Sequence, residues 1–172
     1  MRAMISTNTA ESRIKSLGIE IPEVPRPLGA YVEAVQSGNM LFLTGAMPTV
    51  SGKPKFAGKL GANLTARDGF EAAKLAATNA LAMARHHLGT LDRVTRALKT
   101  EVYTVATDEL ASELPGIADG ASELLRDVFG AENLSVRKVI GVANLPLHVP
   151  IMVEIVLEVS DQAAVIAENG KE

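Results

Sequence analysis

The amino-acid sequence predicts an α+β fold, in which one sheet of mixed or antiparallel strands is covered on one face by two helices. Strand and helix patterns follow one another in the order strand-strand, helix, strand, helix, strand-strand. Only two of the segments are long helices, and two helices cover only one face of such a sheet. The 172 residues are 47% hydrophobic, which fits a single domain over residues 1–172.

The N-terminal part contains little regular structure. Residues 1–10, like residues 160–172, are predicted to be peripheral tails, and a short helix over residues 10–17 is expected to end at Gly18. Residues 19–28 form a lead-in segment that we expect to be extended along the surface, because proline breaks a regular helix. Its prolines are Pro22, Pro25 and Pro27.

A β-hairpin is predicted next. Residues 31–35 and 40–44 are predicted strands, and the Ser-Gly-Asn turn of residues 37–39 separates them. Residues 49–65 are rich in glycine and proline, so we expect a loop with a short strand at most.

Two amphipathic helices are indicated by apolar residues at helical spacing. Thr65 and Asp68 form a capping-box pattern that opens the first helix, which runs to Gly89. The second spans residues 112–130, with its proline tolerated in the first turn. The two apolar stripes are Phe70, Ala73, Ala77, Ala80, Leu81, Ala84 and Leu88, and Ile117, Ala121, Leu124, Leu125 and Val128.

Three strands complete the pattern. Residues 94–105 alternate between apolar and polar side chains. Residues 136–142 and 151–157 are two runs of β-branched residues, predicted to be neighbouring strands because an Asn-Leu-Pro-Leu-His connection separates them. The last run is largely apolar on both faces, so the sequence predicts an oligomer that assembles through the sheet.

Composition excludes several functional classes. The chain has no cysteine, which rules out disulfides, thiolate catalysis and cysteine-type zinc sites and fits a cytoplasmic location. A net charge of −3 with scattered basic residues argues against a nucleic-acid partner. No stretch is long and apolar enough to predict a membrane span. His86, His87 and His148 lack metal-ligand spacing, so neither a metal nor a cofactor is predicted.

Arg137 is the main candidate for a functional side chain. It interrupts an apolar strand near Val136 and Val139, where a guanidinium is unfavourable unless hydrogen-bond acceptors meet it. Two explanations stay open at this point. Arg137 either binds a ligand or forms an ion pair at an interface with Glu154 or Glu101.

Short motifs over residues 16–159 indicate a family. The sequence resembles the RidA (YjgF-type) family, whose older name is endoribonuclease L-PSP, and in particular a longer branch that opens with Ser-Leu-Gly-Ile. The matching motifs are Gly29-Ala-Tyr31-Val, Asn39-Met-Leu-Phe-Leu-Thr-Gly45, Asn79-Ala-Leu, Val136-Arg137, Val142-Ala-Asn-Leu-Pro146 and Val153-Glu154.

The resemblance implies a chorismate-mutase-like fold, a homotrimeric barrel and active-site clefts between subunits. Family members hydrolyse reactive enamines and imines of amino-acid origin to 2-oxo acids and ammonia. By position, Arg137 matches the arginine that holds the substrate carboxylate. Tyr31, Thr44 and Gly45 match positions that line the cleft.

Two residues depart from the family pattern. Met152 stands where many members place a water-holding glutamate, and Glu154 follows two residues later on the same strand face. Asp119 stands where an asparagine is common, which puts a negative charge near a bound carboxylate.

Three functions therefore remain open. The chain is an enamine/imine deaminase with Arg137 and Glu154 as catalytic residues, a non-catalytic carboxylate-binding trimer, or a ribonuclease. The acidic balance counts against the ribonuclease.

Overall fold

The structure is a computed structural model that describes residues 9–24 and 26–160, so the predictions for residues 1–8 and 161–172 lie outside the described residues. The helices are α1 (Ala10–Ser16), α2 (Ala66–Leu88) and α3 (Leu114–Phe129). The strands are β1 (Ala34–Ser37), β2 (Met40–Leu43), β3 (Thr49–Val50), β4 (Lys53–Pro54), β5 (Val94–Thr104), β6 (Val136–Gly141) and β7 (Ile151–Val159).

The main sheet has five strands in the order β1-β2-β7-β5-β6. The pair β5 and β6 is parallel, and the other neighbours are antiparallel. Helices α2 and α3 pack on one face of this sheet, which confirms the predicted α+β class and its one-sided helical layer. The predicted loop at residues 49–65 contains a small hairpin of β3 and β4.

The predicted contact between the last two strands is wrong, because β5 lies between β6 and β7. The connection that follows β6 crosses the end of β5. There the Val142 N–H donates to the Thr104 carbonyl at 2.9 Å, and the Val105 N–H donates to the Pro150 carbonyl at 2.9 Å. Both ends of the connection are thus fixed to β5, which a local sequence pattern does not indicate.

The first strand starts three residues later than predicted. Tyr31 and Val32 precede β1, which pairs with β2 only from Ala34 opposite Leu43 to the turn. Beyond Thr44 the chain diverges from β1 but stays beside β7, with which β2 already pairs, and the Ala46 N–H donates to the Val153 carbonyl at 2.8 Å. Tyr31 therefore lies in a bend rather than in the sheet.

Both predicted ends of α2 are confirmed. Thr65 and Asp68 cap each other reciprocally, with the Asp68 N–H 3.1 Å from the Thr65 hydroxyl and the Thr65 N–H 2.8 Å from the Asp68 carboxylate. Gly89 ends the helix at a φ of 81°, in the left-handed region that favours glycine. The second predicted helix begins with a 3₁₀ turn, Asp108–Glu113, and continues as α3.

Helices α2 and α3 approach closely because small residues line their contact. A run of alanines from Ala72 to Ala84 on α2 is buried. At Gly120 on α3, an added Cβ would lie 2.0 Å from the backbone carbonyl oxygen of Phe70. The small side chains let the backbones meet at a distance that larger residues would prevent.

The face of the sheet without helices is less apolar than predicted. On β7 the residues facing the helices are buried, whereas Met152, Glu154, Val156 and Glu158 are half-buried on the open face. The cross-strand partner of Glu154 there is Glu101. Exposed apolar side chains lie toward its two edges, at Val35, Met40 and Phe42 on β1 and β2 and at Val136 on β6. A second copy covering this face would therefore meet charges at its centre.

Candidate functional site

Tyr31, Thr44 and Gly45, predicted to share a site, line one small cavity beside the end of β2. Its volume is about 30 Å³. The lead-in segment contributes one wall, and Met83 of α2 contributes another. The structure thus places these three residues together even though Tyr31 precedes the sheet.

The wall around Tyr31 is held by local hydrogen bonds. The Tyr31 hydroxyl accepts a bond from the backbone N–H of Leu28 at 3.0 Å, and the Tyr31 N–H donates to the Gly29 carbonyl at 3.0 Å. The ring consequently folds back along the lead-in segment. On the other side, the Thr44 N–H donates to the Glu33 carbonyl at 2.8 Å and fixes the end of the hairpin.

Met152 occupies the space in which a side chain at position 45 would lie, so only glycine fits there without movement of Met152. An added Cβ at Gly45 would lie 2.6 Å from the Met152 sulfur and 3.0 Å from its Cγ. Met152, the residue predicted to stand at the family's glutamate position, therefore packs against Gly45. A thioether carries no acid or base function, so Met152 supplies shape and an apolar surface.

Asn79 belongs to one of the family motifs, which gave it no predicted role. It binds the backbone of Met47 and Thr49, which line the cavity. It is 1% exposed in the middle of α2. Its Nδ2 donates to the Met47 carbonyl at 2.8 Å and to the Thr49 carbonyl at 3.0 Å. The sequence signal was an asparagine inside a stripe of alanines, where an unpaired amide would be unfavourable.

We expect Asn79→Ala to lower the free energy of unfolding by about 1–3 kcal/mol, because the carbonyls of Met47 and Thr49 each lose a hydrogen bond from a buried amide. Urea denaturation followed by circular dichroism measures the change. Thr78→Ala, which replaces the half-buried preceding residue on α2, is the matched control and should stay within about 0.5 kcal/mol of the parent. Equal effects of the two variants would contradict the supporting role of Asn79.

Arg137 finds its acceptors on α3. Its Nη1 lies 2.6 Å from the Asp119 carboxylate and 2.9 Å from the Ser122 hydroxyl, and its Nη2 donates to the Pro115 carbonyl at 3.1 Å. The Arg137 side chain is 22% exposed and that of Asp119 is 51% exposed. These contacts tie the edge strand β6 to the helical layer.

The ion pairs considered for Arg137 from the sequence do not form within one chain. Arg137 is paired in the sheet with Thr100 and points to the helices, whereas Glu101 pairs with Glu154 and both point to the open face. Asp119, predicted to lie near a bound carboxylate, instead neutralises the guanidinium directly.

Glu154 belongs to a charged group at the centre of the open face. Its neighbour Glu101 accepts hydrogen bonds from Lys99 at 2.8 Å and from the Tyr103 hydroxyl at 3.0 Å. The Lys99 bond, followed by the Tyr103 bond, lowers the pKa of Glu101. Burial, followed by the bond to Glu101, raises the pKa of Tyr103. Glu101 is therefore held ionised beside Glu154.

A single chain does not assemble the predicted site. Thr44 and Gly45 follow β2, while Arg137 lies on β6, with β7 and β5 between those two strands. Three steps of about 4.8 Å separate β2 from β6 by about 14 Å. Glu154 lies between them on the opposite face from Arg137.

The histidines lie outside these groups. His86 and His87 occupy the last turn of α2, as predicted, where they complement the helix dipole if protonated. His148 follows Leu147 in the connection before β7, and both have φ above 50°.

In residues 9–24 and 26–160, no three His, Asp or Glu side chains are grouped closely enough to hold a metal ion. None of the described helices has the length and apolarity needed to cross a bilayer.

Comparison with known proteins identifies related chains. Residues 11–159 match a family model described as "YjgF/chorismate_mutase-like, putative endoribonuclease". Protein TCP17 of Trypanosoma cruzi is 31% identical over 160 residues, which cover 92% of this chain and 99% of that protein.

Two solved structures are similar along most of their length. A crystal structure described as a "putative endoribonuclease" from Shewanella oneidensis is 32% identical with a TM-score of 0.84, over 88% of this chain and 100% of that one. Atu1372 from Agrobacterium tumefaciens, described as having unknown function, is 30% identical with a TM-score of 0.80, over 88% of this chain and 92% of that one. The predicted chorismate-mutase-like fold is confirmed by the family match and these structures.

Proposed function

Because this chain belongs to the YjgF/chorismate mutase-like family, we propose that it hydrolyses reactive enamines and imines to 2-oxo acids and ammonia. In this proposal three copies form a homotrimer, and each active site lies in a cleft between two of them. Arg137 holds the substrate carboxylate, and Tyr31, Thr44 and Gly45 line the opposite wall. No cofactor takes part.

One observation carries the proposal. The residues that match the family's site fall into two groups at opposite edges of the sheet, one after β2 and one on β6. A site shared between copies has this arrangement, because the β6 edge of one copy adjoins the β1–β2 edge of the next. Arg137 of one copy then faces the Tyr31 cavity of its neighbour.

The chemistry needs binding and proton transfer rather than a covalent intermediate. A guanidinium holds a carboxylate by two parallel hydrogen bonds and so fixes the adjacent C=N carbon. A proton moves to the enamine carbon to give the imine, and water then adds to the imine carbon. The resulting carbinolamine expels ammonia and leaves the 2-oxo acid. Glu154, about 7 Å along β7 from Met152, is the proposed group that positions the water.

The test is the release of 2-oxo acid from freshly generated 2-aminoacrylate. We expect the protein to accelerate this release above the rate in buffer, and analytical ultracentrifugation to give the mass of three chains. A rate equal to that in buffer would contradict the deaminase proposal.

Met152 favours one alternative, a non-catalytic trimer that binds small carboxylates. With a thioether at the position of the water-holding glutamate, the cleft retains its shape and its arginine without the usual base. Calorimetric binding of 2-oxobutanoate by a wild-type protein that does not accelerate 2-aminoacrylate hydrolysis would support this alternative.

A further inference from the structure

The Tyr31 cavity contains two charged side chains of opposite sign. Arg26 lines it from the lead-in segment and Glu33 lines it from the residue before β1. Building on the proposed function, we propose that Arg26 and Glu33 determine specificity by selecting ligands that carry both a carboxylate and an ammonium or iminium group. Arg26 attracts the carboxylate that Arg137 orients, and Glu33 binds the protonated nitrogen.

The first argument is that Arg26 has no partner in the described part of the chain. The other described arginines each contact an acceptor, as Arg85 does with Glu11 and Arg137 does with Asp119. No hydrogen bond or ion pair of the Arg26 side chain occurs within residues 9–24 and 26–160. A guanidinium at a cavity wall without an acceptor is available to an anionic ligand.

Glu33 is available in the same way. Its backbone carbonyl is used by the Thr44 N–H, but among the described residues its carboxylate has no hydrogen bond and no cation within 4.0 Å. Arg26 and Glu33 therefore line one cavity without neutralising each other. A ligand with one positive and one negative group, a short distance apart, satisfies both.

The remaining wall limits the size of the ligand. Leu28, Met47 and Met83 supply apolar surface, and Gly45 is closed by Met152. Such a lining accepts a short aliphatic side chain and gives no hydrogen bond to a longer polar one. Small α-amino acids and the α-imino acids derived from them match these charges and this lining. Because the cavity in one chain is only about 30 Å³, such a ligand extends from it into the proposed cleft between copies.

Arg137 does not replace Arg26 in this role. Its charge is already balanced by Asp119, so the pair adds no net charge to a cleft shared between copies. Arg137 orients a carboxylate through geometry, whereas Arg26 and Glu33 select the charges of the ligand. The two contributions are separable by mutation.

Nuclear magnetic resonance titration of three ligands of similar shape tests the proposal. L-Alanine carries both charges, propanoate carries only the negative charge and isopropylamine carries only the positive one. We expect the wild type to bind L-alanine at least tenfold more tightly than either of the others. Arg26→Gln should reduce the preference over isopropylamine severalfold, the remainder being due to Arg137, and Glu33→Gln should remove the preference over propanoate.

Lys53→Gln, which neutralises an exposed charge on β4 outside the cavity, is the matched control and should retain both preferences. Failure of the wild type to prefer L-alanine would overturn the proposal, as would unchanged preferences in both cavity variants. Turnover of 2-aminoacrylate by the wild type is measured separately. Turnover with unchanged preferences refutes only this inference, and the expected preferences without turnover refute only the deaminase.

Discussion

Arg137→Ala is expected to lower kcat/KM for 2-aminoacrylate by about 100-fold. Two charge-assisted hydrogen bonds to the carboxylate are each worth about 1.5 kcal/mol or more, and 1.36 kcal/mol corresponds to a factor of ten. Arg137 is only partly exposed, and α3 already orients its side chain. We therefore expect the substitution to act on the binding of the substrate. Steady-state kinetics with the purified protein measures this loss.

Asp119→Asn, at the ion-pair partner of Arg137, is expected to lower KM rather than to weaken the reaction. It keeps an acceptor for the Arg137 Nη1 but removes the negative charge that competes with the substrate carboxylate. An ion pair as exposed as this one contributes up to about 1 kcal/mol, so KM should fall by up to about fivefold.

A full rate in Arg137→Ala, with an unchanged melting temperature, would remove Arg137 from the mechanism.

Local patterns in the sequence predicted the elements that local interactions determine. The capping box of Thr65 and Asp68 and the end of α2 at Gly89 depend on residues within one turn, so both were confirmed. The order of the strands depends on contacts between distant residues. Nothing near β6 or β7 indicates that β5 separates them, and the prediction of neighbouring strands was therefore wrong.

The candidate site shows the same division. Tyr31, Thr44 and Gly45, which the family motifs predict to line the cleft, lie around one cavity, and their role stays a prediction. The acceptor for Arg137 was not predictable from the apolar strand, because it comes from a helix whose packing depends on the whole fold. The sequence did not indicate the proposed roles of Arg26 and Glu33, since each is an ordinary surface charge there and only the fold shows that both line one cavity.

Gly120→Ala is expected to lower the free energy of unfolding by about 3 kcal/mol, toward the upper end of the range for overpacked cores. The new methyl carbon would lie 2.0 Å from the Phe70 carbonyl oxygen and 3.2 Å from the Lys74 backbone nitrogen. Both atoms belong to the backbone of α2, so no side-chain rotation relieves the contact and the two helices must separate. Urea denaturation of the purified protein measures the loss.

Gly116→Ala, on the same helix, separates this steric effect from helix propensity. An added Cβ there meets nothing within 4 Å, and alanine reduces the conformational entropy of the unfolded chain. We expect the free energy of unfolding to rise by about 0.5–1 kcal/mol. If both alanine variants were stabilising, α2 and α3 would not be in backbone contact at Gly120. Opposite signs at two glycines four residues apart can arise only from what each faces, since residue type and helix are the same.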